Sequence, residues 1–158
     1  MVDVKLVAKV EKFLDRFLGE EYKKDAETYY KSRILVAILL TYQVMLFFIG
    51  LYVLFLAPVP LESRLWSALL VSLMFASYGY ILYVMKYRFN YSFCIEASVL
   101  SAFAGITAGI CMSGGPVTSP ATPLMILPIV LAFCLSTRYS GLRWSNMVLL
   151  THMLLIVI

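Results

Sequence analysis

Charge is what this sequence has least of. Only 14% of its 158 residues are Asp, Glu, Lys or Arg, against about a quarter in an ordinary soluble domain. Hydrophobic residues make up 62%, and the mean hydropathy is +0.89. So few charges cannot cover that much apolar surface in water; a bilayer removes the need. The chemistry-bearing motifs are missing as well. There is no P-loop, no H-E-x-x-H, no G-x-S-x-G and no Cys/His cluster, so no catalytic residue, metal site or cofactor is expected, and the chain as it stands does not read as an enzyme. The single histidine, His152, with one intramembrane carboxylate, is too little for a metal centre. The three cysteines, Cys94, Cys111 and Cys134, all lie in apolar runs without a C-x-x-C and read as free buried thiols. A cleavable signal peptide and a myristoylation start are absent. No internal repeat is present, which removes the inverted-repeat signature of many transporters. The net charge of +4 does not point to nucleic acid, because the basic residues flank hydrophobic runs.

What is present is a series of long apolar runs. Spans are expected at about 34–57, 65–83, 91–112, 120–136 and 142–158; the first of them, Ile34 to Ala57, carries no charge, and at about 1.5 Å per residue it exceeds a hydrocarbon core of about 30 Å. The fold class is therefore all-α: a polytopic transmembrane helix bundle of five spans (residues 33–158) behind an N-terminal amphipathic helical segment (residues 1–32). In that segment Leu6, Val7, Val10, Phe13, Leu14, Phe17 and Leu18 recur at helical spacing, and Lys5, Lys9, Lys12, Asp15 and Arg16 fall largely on the other face. Gly19 interrupts the pattern, and a second charged helix from Glu20 to Lys31 leads into the membrane. The apolar face suits either the lipid headgroup region or a partner subunit.

The basic residues orient the bundle. Lys5, Lys9, Lys12, Arg16, Lys23, Lys24, Lys31 and Arg33 precede the first span, Lys86 and Arg88 lie between spans two and three, and Arg138 and Arg143 lie between spans four and five. All of these share one side of the membrane, with Arg64 alone on the other. The positive-inside rule makes that side the cytoplasm. Five spans then finish outside, on an apolar run that reaches Ile158 without a polar tail. A sixth helix and a longer protein are expected.

Glu96 is the sole acidic residue inside an expected span. An isolated charge at the centre of a membrane helix costs about 2.5–3.5 kcal/mol on the insertion scale. It therefore either serves as a proton, ligand or coupling site or reaches back to the interface near Lys86 or Arg88. His152 falls at a similar depth on span five. It either pairs with Glu96 or bonds to a helix carbonyl or a hydroxyl. The loop Ser113-Gly114-Gly115-Pro116-Val117-Thr118-Ser119-Pro120 is rich in turn chemistry: Gly114 and Gly115 permit positive φ, Ser119 suits a helix cap and Pro120 a first turn. Pro128 is deep enough to kink span four. These residues form either a well-punctuated helix hairpin or a rim around an outward pocket, with Glu96, His152, Gly114, Gly115, Ser119, Pro120 and Pro128 as ligand or sensing candidates. Gly105 and Gly109 make a G-x-x-x-G suited to close helix packing. Trp66 and Trp144 read as belt residues at opposite interfaces.

The stretch from Gly114 to Trp144 resembles the multi-helix sensor modules that precede bacterial sensor histidine kinases, and the six-helix anchors of class III adenylyl cyclases and diguanylate cyclases. The resemblance rests on Gly114, Gly115, Ser119, Pro120, Pro128, Ala132, Arg138, Gly141 and Trp144, and on the polar lead that ends at Arg33. The spacing from the glycine pair to Ser-Pro is one residue longer here, and Thr122-Pro123 stands where that pattern has an aromatic. The resemblance implies a bacterial inner-membrane receptor module that senses a small molecule or a membrane state, working as a homodimer with a cytoplasmic kinase or cyclase domain in the same chain. A small transporter using Glu96 and His152, and a structural membrane subunit, are the competing expectations.

Overall fold

The computed structural model describes residues 4–56, 58, 60–88, 90–115, 117, 119 and 121–157, with 4–7 and 156–157 described by their backbone. Every regular element among the described residues is helical. Six α-helices follow one another: α1 (Val4–Leu14), α2 (Ala26–Phe55), α3 (Leu61–Tyr87), α4 (Tyr91–Met112), α5 (Ile126–Leu135) and α6 (Arg138–Val157). Short 3₁₀ turns lie at Asp15–Phe17, Glu20–Lys24 and Thr122–Met125. The chain divides into two compact units, Met1–Cys94 and Ile95–Ile158, with the boundary inside α4.

In the first unit, α2 and α3 form an antiparallel pair. Asp25 starts α2, its carboxylate accepting the Thr28 N–H at 2.9 Å; that satisfies one of the four donors a helix start leaves open. Hydrogen bonds to Thr28 hold the exposed Asp25 carboxyl below the ordinary carboxylate range. Leu35, Val36, Leu39 and Leu46 of α2 are buried, as are Tyr78, Ile81, Leu82, Val84 and Met85 of α3. Both sets follow helical spacing. The outward faces carry equally apolar side chains, among them Phe47, Phe48, Leu51, Phe55, Leu69 and Leu73, all exposed. A helix that is apolar all round belongs in a lipid or protein interior.

The N-terminal segment folds back onto the far end of this pair. Gly19 donates its N–H to the Met85 carbonyl at 3.2 Å, satisfying one of the acceptors that the end of α3 leaves open. A Cβ on Gly19 would stand 3.0 Å from the Lys86 carbonyl oxygen, so only glycine makes this approach without displacing backbone. Leu18 and Tyr22 are buried there, and the Tyr22 ring meets Tyr91 edge-on at 6.4 Å. Burial pushes the Tyr22 hydroxyl well above its ordinary pKa. The second charged helix expected from Glu20 is instead a 3₁₀ turn, and the continuous helix starts at Ala26. The reason is local: Asp25 holds extended backbone and caps.

Three helices, α2, α3 and α4, are long and apolar enough to cross a membrane, and they coincide with the first three expected spans. The other two expected spans take a different form. Where a helix was expected from Pro120, the chain makes a 3₁₀ turn at Thr122–Met125, and α5 has only 10 residues, about 15 Å. Pro128 therefore falls in the first turn of α5, where no intrahelical N–H bond is lost, and it does not kink the helix. The α5–α6 connection is shorter than expected. It consists of Ser136 and Thr137, with Thr137 Oγ1 accepting the Ser140 N–H at 3.2 Å. Arg138 and Arg143 accordingly lie on α6 and not in a loop.

Candidate functional site

The second unit is organised around Glu96. On α6 the residues Ser140, Arg143 and Trp144 stand three and four apart, so they share one helix face. All three reach the Glu96 carboxylate. Ser140 donates its hydroxyl to Oε1 at 2.6 Å, Trp144 donates Nε1–H to Oε2 at 2.9 Å, and the Arg143 guanidinium donates to Oε2 as an ion pair. The Ser140 end is also the start of α6, where the helix dipole favours negative charge. Glu96 keeps 30% of its side-chain exposure and Arg143 keeps 53%, while Ser140 and Trp144 are buried. The Phe103 ring of α4 packs on Trp144 with centroids 5.8 Å apart. Further along the same unit Ile110, Met125 and Val148 form a small core, with Phe103, Ile106, Ala121, Ile129 and Leu155 around it.

This arrangement accounts for a carboxylate in an apolar helix without a ligand. Both oxygens are used, and the charge has a guanidinium beside it. Of the two alternatives for His152, the pair with Glu96 does not form. Glu96 is held at the first two turns of α6, and His152 lies eight residues beyond Trp144, about 12 Å further along the helix. Trp144 is not a lipid-facing belt residue; its indole N–H is taken up by Glu96. Trp66 is 60% exposed, as a belt residue would be. Of the cysteines, Cys94 is buried but Cys111 and Cys134 are exposed on their helices, contrary to the expectation for the last two.

The glycine-rich loop is a helix C-cap. Gly114 and Gly115 have φ of 93° and 99°, and the Gly115 N–H reaches back to the Ile110 carbonyl at 3.0 Å. That is the Schellman closure, with Gly114 in the left-handed position that any Cβ would strain. The Ser113 hydroxyl lies 2.6 Å from the Gly109 carbonyl oxygen and shares a 2.6 Å hydrogen bond with Ser119 Oγ. Ser119 Oγ also accepts the Ala121 N–H at 3.2 Å, but it caps no helix: the 3₁₀ turn is preceded by Ala121 and α5 by Met125, neither with a side-chain cap bond. The Ser113 and Ser119 hydroxyls are spent on the loop's own shape. Pro116, Thr118 and Pro120 lie outside the described residues. Pro128 is fully buried. In the G-x-x-x-G, Gly105 is buried, but a Cβ on Gly109 would meet nothing within 4 Å.

The structure thus brings together Glu96, Ser140, Arg143 and Trp144, and separately Gly114, Gly115 and Ser119; His152 stands apart from the Glu96 group. Ser140 was not singled out from sequence; Arg143 served only to orient the bundle, and Trp144 stood as a belt residue and as part of the resemblance. The available signal was the S-x-x-R-W spacing, which puts a hydroxyl, a guanidinium and an indole N–H on one helix face toward the same intramembrane carboxylate. No group of His, Cys, Asp and Glu among the described residues is placed to hold a metal ion. No family model, curated protein or solved structure matches the chain.

Proposed function

We propose that this chain is the membrane-anchoring and sensory part of a bacterial signalling receptor, with a cytoplasmic N-terminus and a kinase or nucleotide cyclase output domain in the same protein. In this reading the short apolar segment Thr122–Leu135, with the bilayer thinned around it, and α6 make the fourth and fifth crossings, a sixth helix returns the chain to the cytoplasm, and two copies pair. The observation that carries it is the Glu96 joint. From Glu96 to Met112, α4 runs about 24 Å as one rigid helix, and it ends in the Gly114–Gly115 cap. The backbones of α4 and α6 approach each other far less than those of α5 and α6, and beside the apolar core around Ile110 and Val148 the carboxylate and its three donors are the polar tie between them. A displacement of the loop end is passed down α4 and reaches α6 through that tie. A small molecule or a membrane state acts on it only through a difference in affinity for two helix arrangements.

The test uses the intact native gene product. Its mass should exceed the 17.9 kDa of this chain and include an output domain. Glu96→Gln, and separately deletion of 114–118, should change basal output severalfold in membranes. Unchanged output in both variants leaves only anchoring. A gene product of 17.9 kDa transfers the reading to a transporter or a structural subunit.

A further inference from the structure

Helix α1 presents an apolar ridge that the chain itself does not cover. Val10 is 49% exposed and Phe13 48%; they stand three apart and so share a face. Phe17 extends the ridge, its ring meeting Phe13 edge-on at 5.4 Å.

Two observations say what lies against this ridge. The first is its level. The Asp15 carboxylate sits 3.0 Å from Arg33 Nε and the Glu11 carboxylate 3.5 Å from Arg33 Nη1, while the Tyr29 hydroxyl donates to Asp15 Oδ1 at 2.8 Å. Arg33 immediately precedes the uncharged run that opens at Ile34. The end of α1 is therefore pinned where α2 enters the hydrocarbon, which is the headgroup level. The second is its charge. The two acidic side chains of this stretch are turned to Arg33, and Lys9, Lys12 and Arg16 are left exposed around the ridge. An apolar ridge flanked by outward cations at headgroup level complements anionic lipid.

We infer that α1 is an in-plane anchor that docks on the anionic headgroups of the leaflet α2 enters, with Val10 and Phe13 at the headgroup–acyl boundary and Lys9, Lys12 and Arg16 against the phosphates. The inference rests on α2 crossing a membrane and not on the receptor reading.

The test uses the full chain with Cys94, Cys111 and Cys134 replaced by Ser. A single nitroxide is placed through Phe13→Cys, with Phe48→Cys on α2 as the lipid control and Glu20→Cys as the aqueous control. Collisions with oxygen and with a water-soluble nickel chelate are compared in phosphatidylcholine vesicles with and without phosphatidylglycerol. Position 13 should show a severalfold higher oxygen-to-nickel ratio when phosphatidylglycerol is present, and Lys9→Gln with Lys12→Gln should abolish that rise. A position 13 as open to nickel as position 20 in both lipids overturns the inference. So does protection that ignores lipid charge but disappears as protein is diluted in lipid, which assigns the ridge to a second copy. If position 48 is open to nickel, the membrane premise itself fails, and a lipid-facing position 48 beside an aqueous position 13 sinks only the docking.

Discussion

The α2–α3 pair and the α4–α6 pair hold helices together by opposite means. In α2–α3 the backbones approach closely over apolar side chains. Small residues sit at the contact: a Cβ on Gly79 would be 3.4 Å from the Gln43 side chain, and one on Gly50 would be 3.4 Å from Val71. In α4–α6 the backbones stay apart, and long side chains bridge them through Glu96, Arg143 and the Phe103–Trp144 contact. The first pair rests on packing spread over many residues, whereas the second adds to the apolar core around Ile110 and Val148 a polar tie centred on one carboxylate.

Breaking the polar tie should have the largest effect. Arg143→Leu leaves the Glu96 carboxylate without its countercharge; because the pair is half-exposed, the expected loss is about 2–3 kcal/mol, below that of a fully buried pair. Unfolding in mixed micelles, followed by tryptophan fluorescence, measures it. Adding Glu96→Leu to Arg143→Leu should recover more than half of that loss, and a double variant no better than the single one would deny the joint its role.

The packed pair should respond to size instead of charge. Gly79→Leu overfills the space beside Gln43 and should cost about 2 kcal/mol. Gly109→Leu projects where nothing lies within 4 Å and should stay within about 0.5 kcal/mol of the parent. Equal losses at both glycines would erase the distinction. The cap at the end of α4 comes next. Gly114→Val forces a β-branched residue to a φ near 93° and should cost about 1–2 kcal/mol, seen as faster amide exchange at Gly115 while α2–α3 amides stay unchanged. The smallest effect concerns acid. The folded Asp25 carboxyl is held below its ordinary range, so its contribution is complete above the unfolded value and is lost as pH falls through the folded one. Amide exchange at Thr28 should quicken at that acid end alone, and Asp25→Ala should remove the pH dependence.

Much of the first unit was legible in the sequence. The uncharged run from Ile34, the prolines after it and the Lys86/Arg88 stop locate α2 and α3, although α2 starts eight residues before the expected span and α3 runs four residues further at each end, and the spacing of Leu14, Phe17 and Leu18 already marked an apolar face. What the spacing did not reveal is that Leu18 and Tyr22 are buried against the end of α3 and the start of α4. A 3.6-residue period states which residues share a face, never what the face meets. The second unit was less legible. Pro128 is expected to kink a long helix, whereas the chain spends Pro123 in a 3₁₀ turn and opens a shorter helix behind it. Proline restricts a helix without choosing between kinking it and delaying its start. Glu96 was singled out because a carboxylate is rare in an apolar helix, but its partners lie 44 to 48 residues away, beyond any local pattern.

The sequence by itself determined the solvent and the helical class. Apolar length set against bilayer thickness is a local, additive property, and α2, α3 and α4 meet it by their own composition. It also determined that Gly114 and Gly115 make a tight turn, because turns are settled within a few residues. The tertiary structure alone decided which donors satisfy Glu96, which acids hold Arg33 and which carbonyl receives the Gly19 N–H. Each of those depends on which helix ends meet, and that follows from the packing of whole elements.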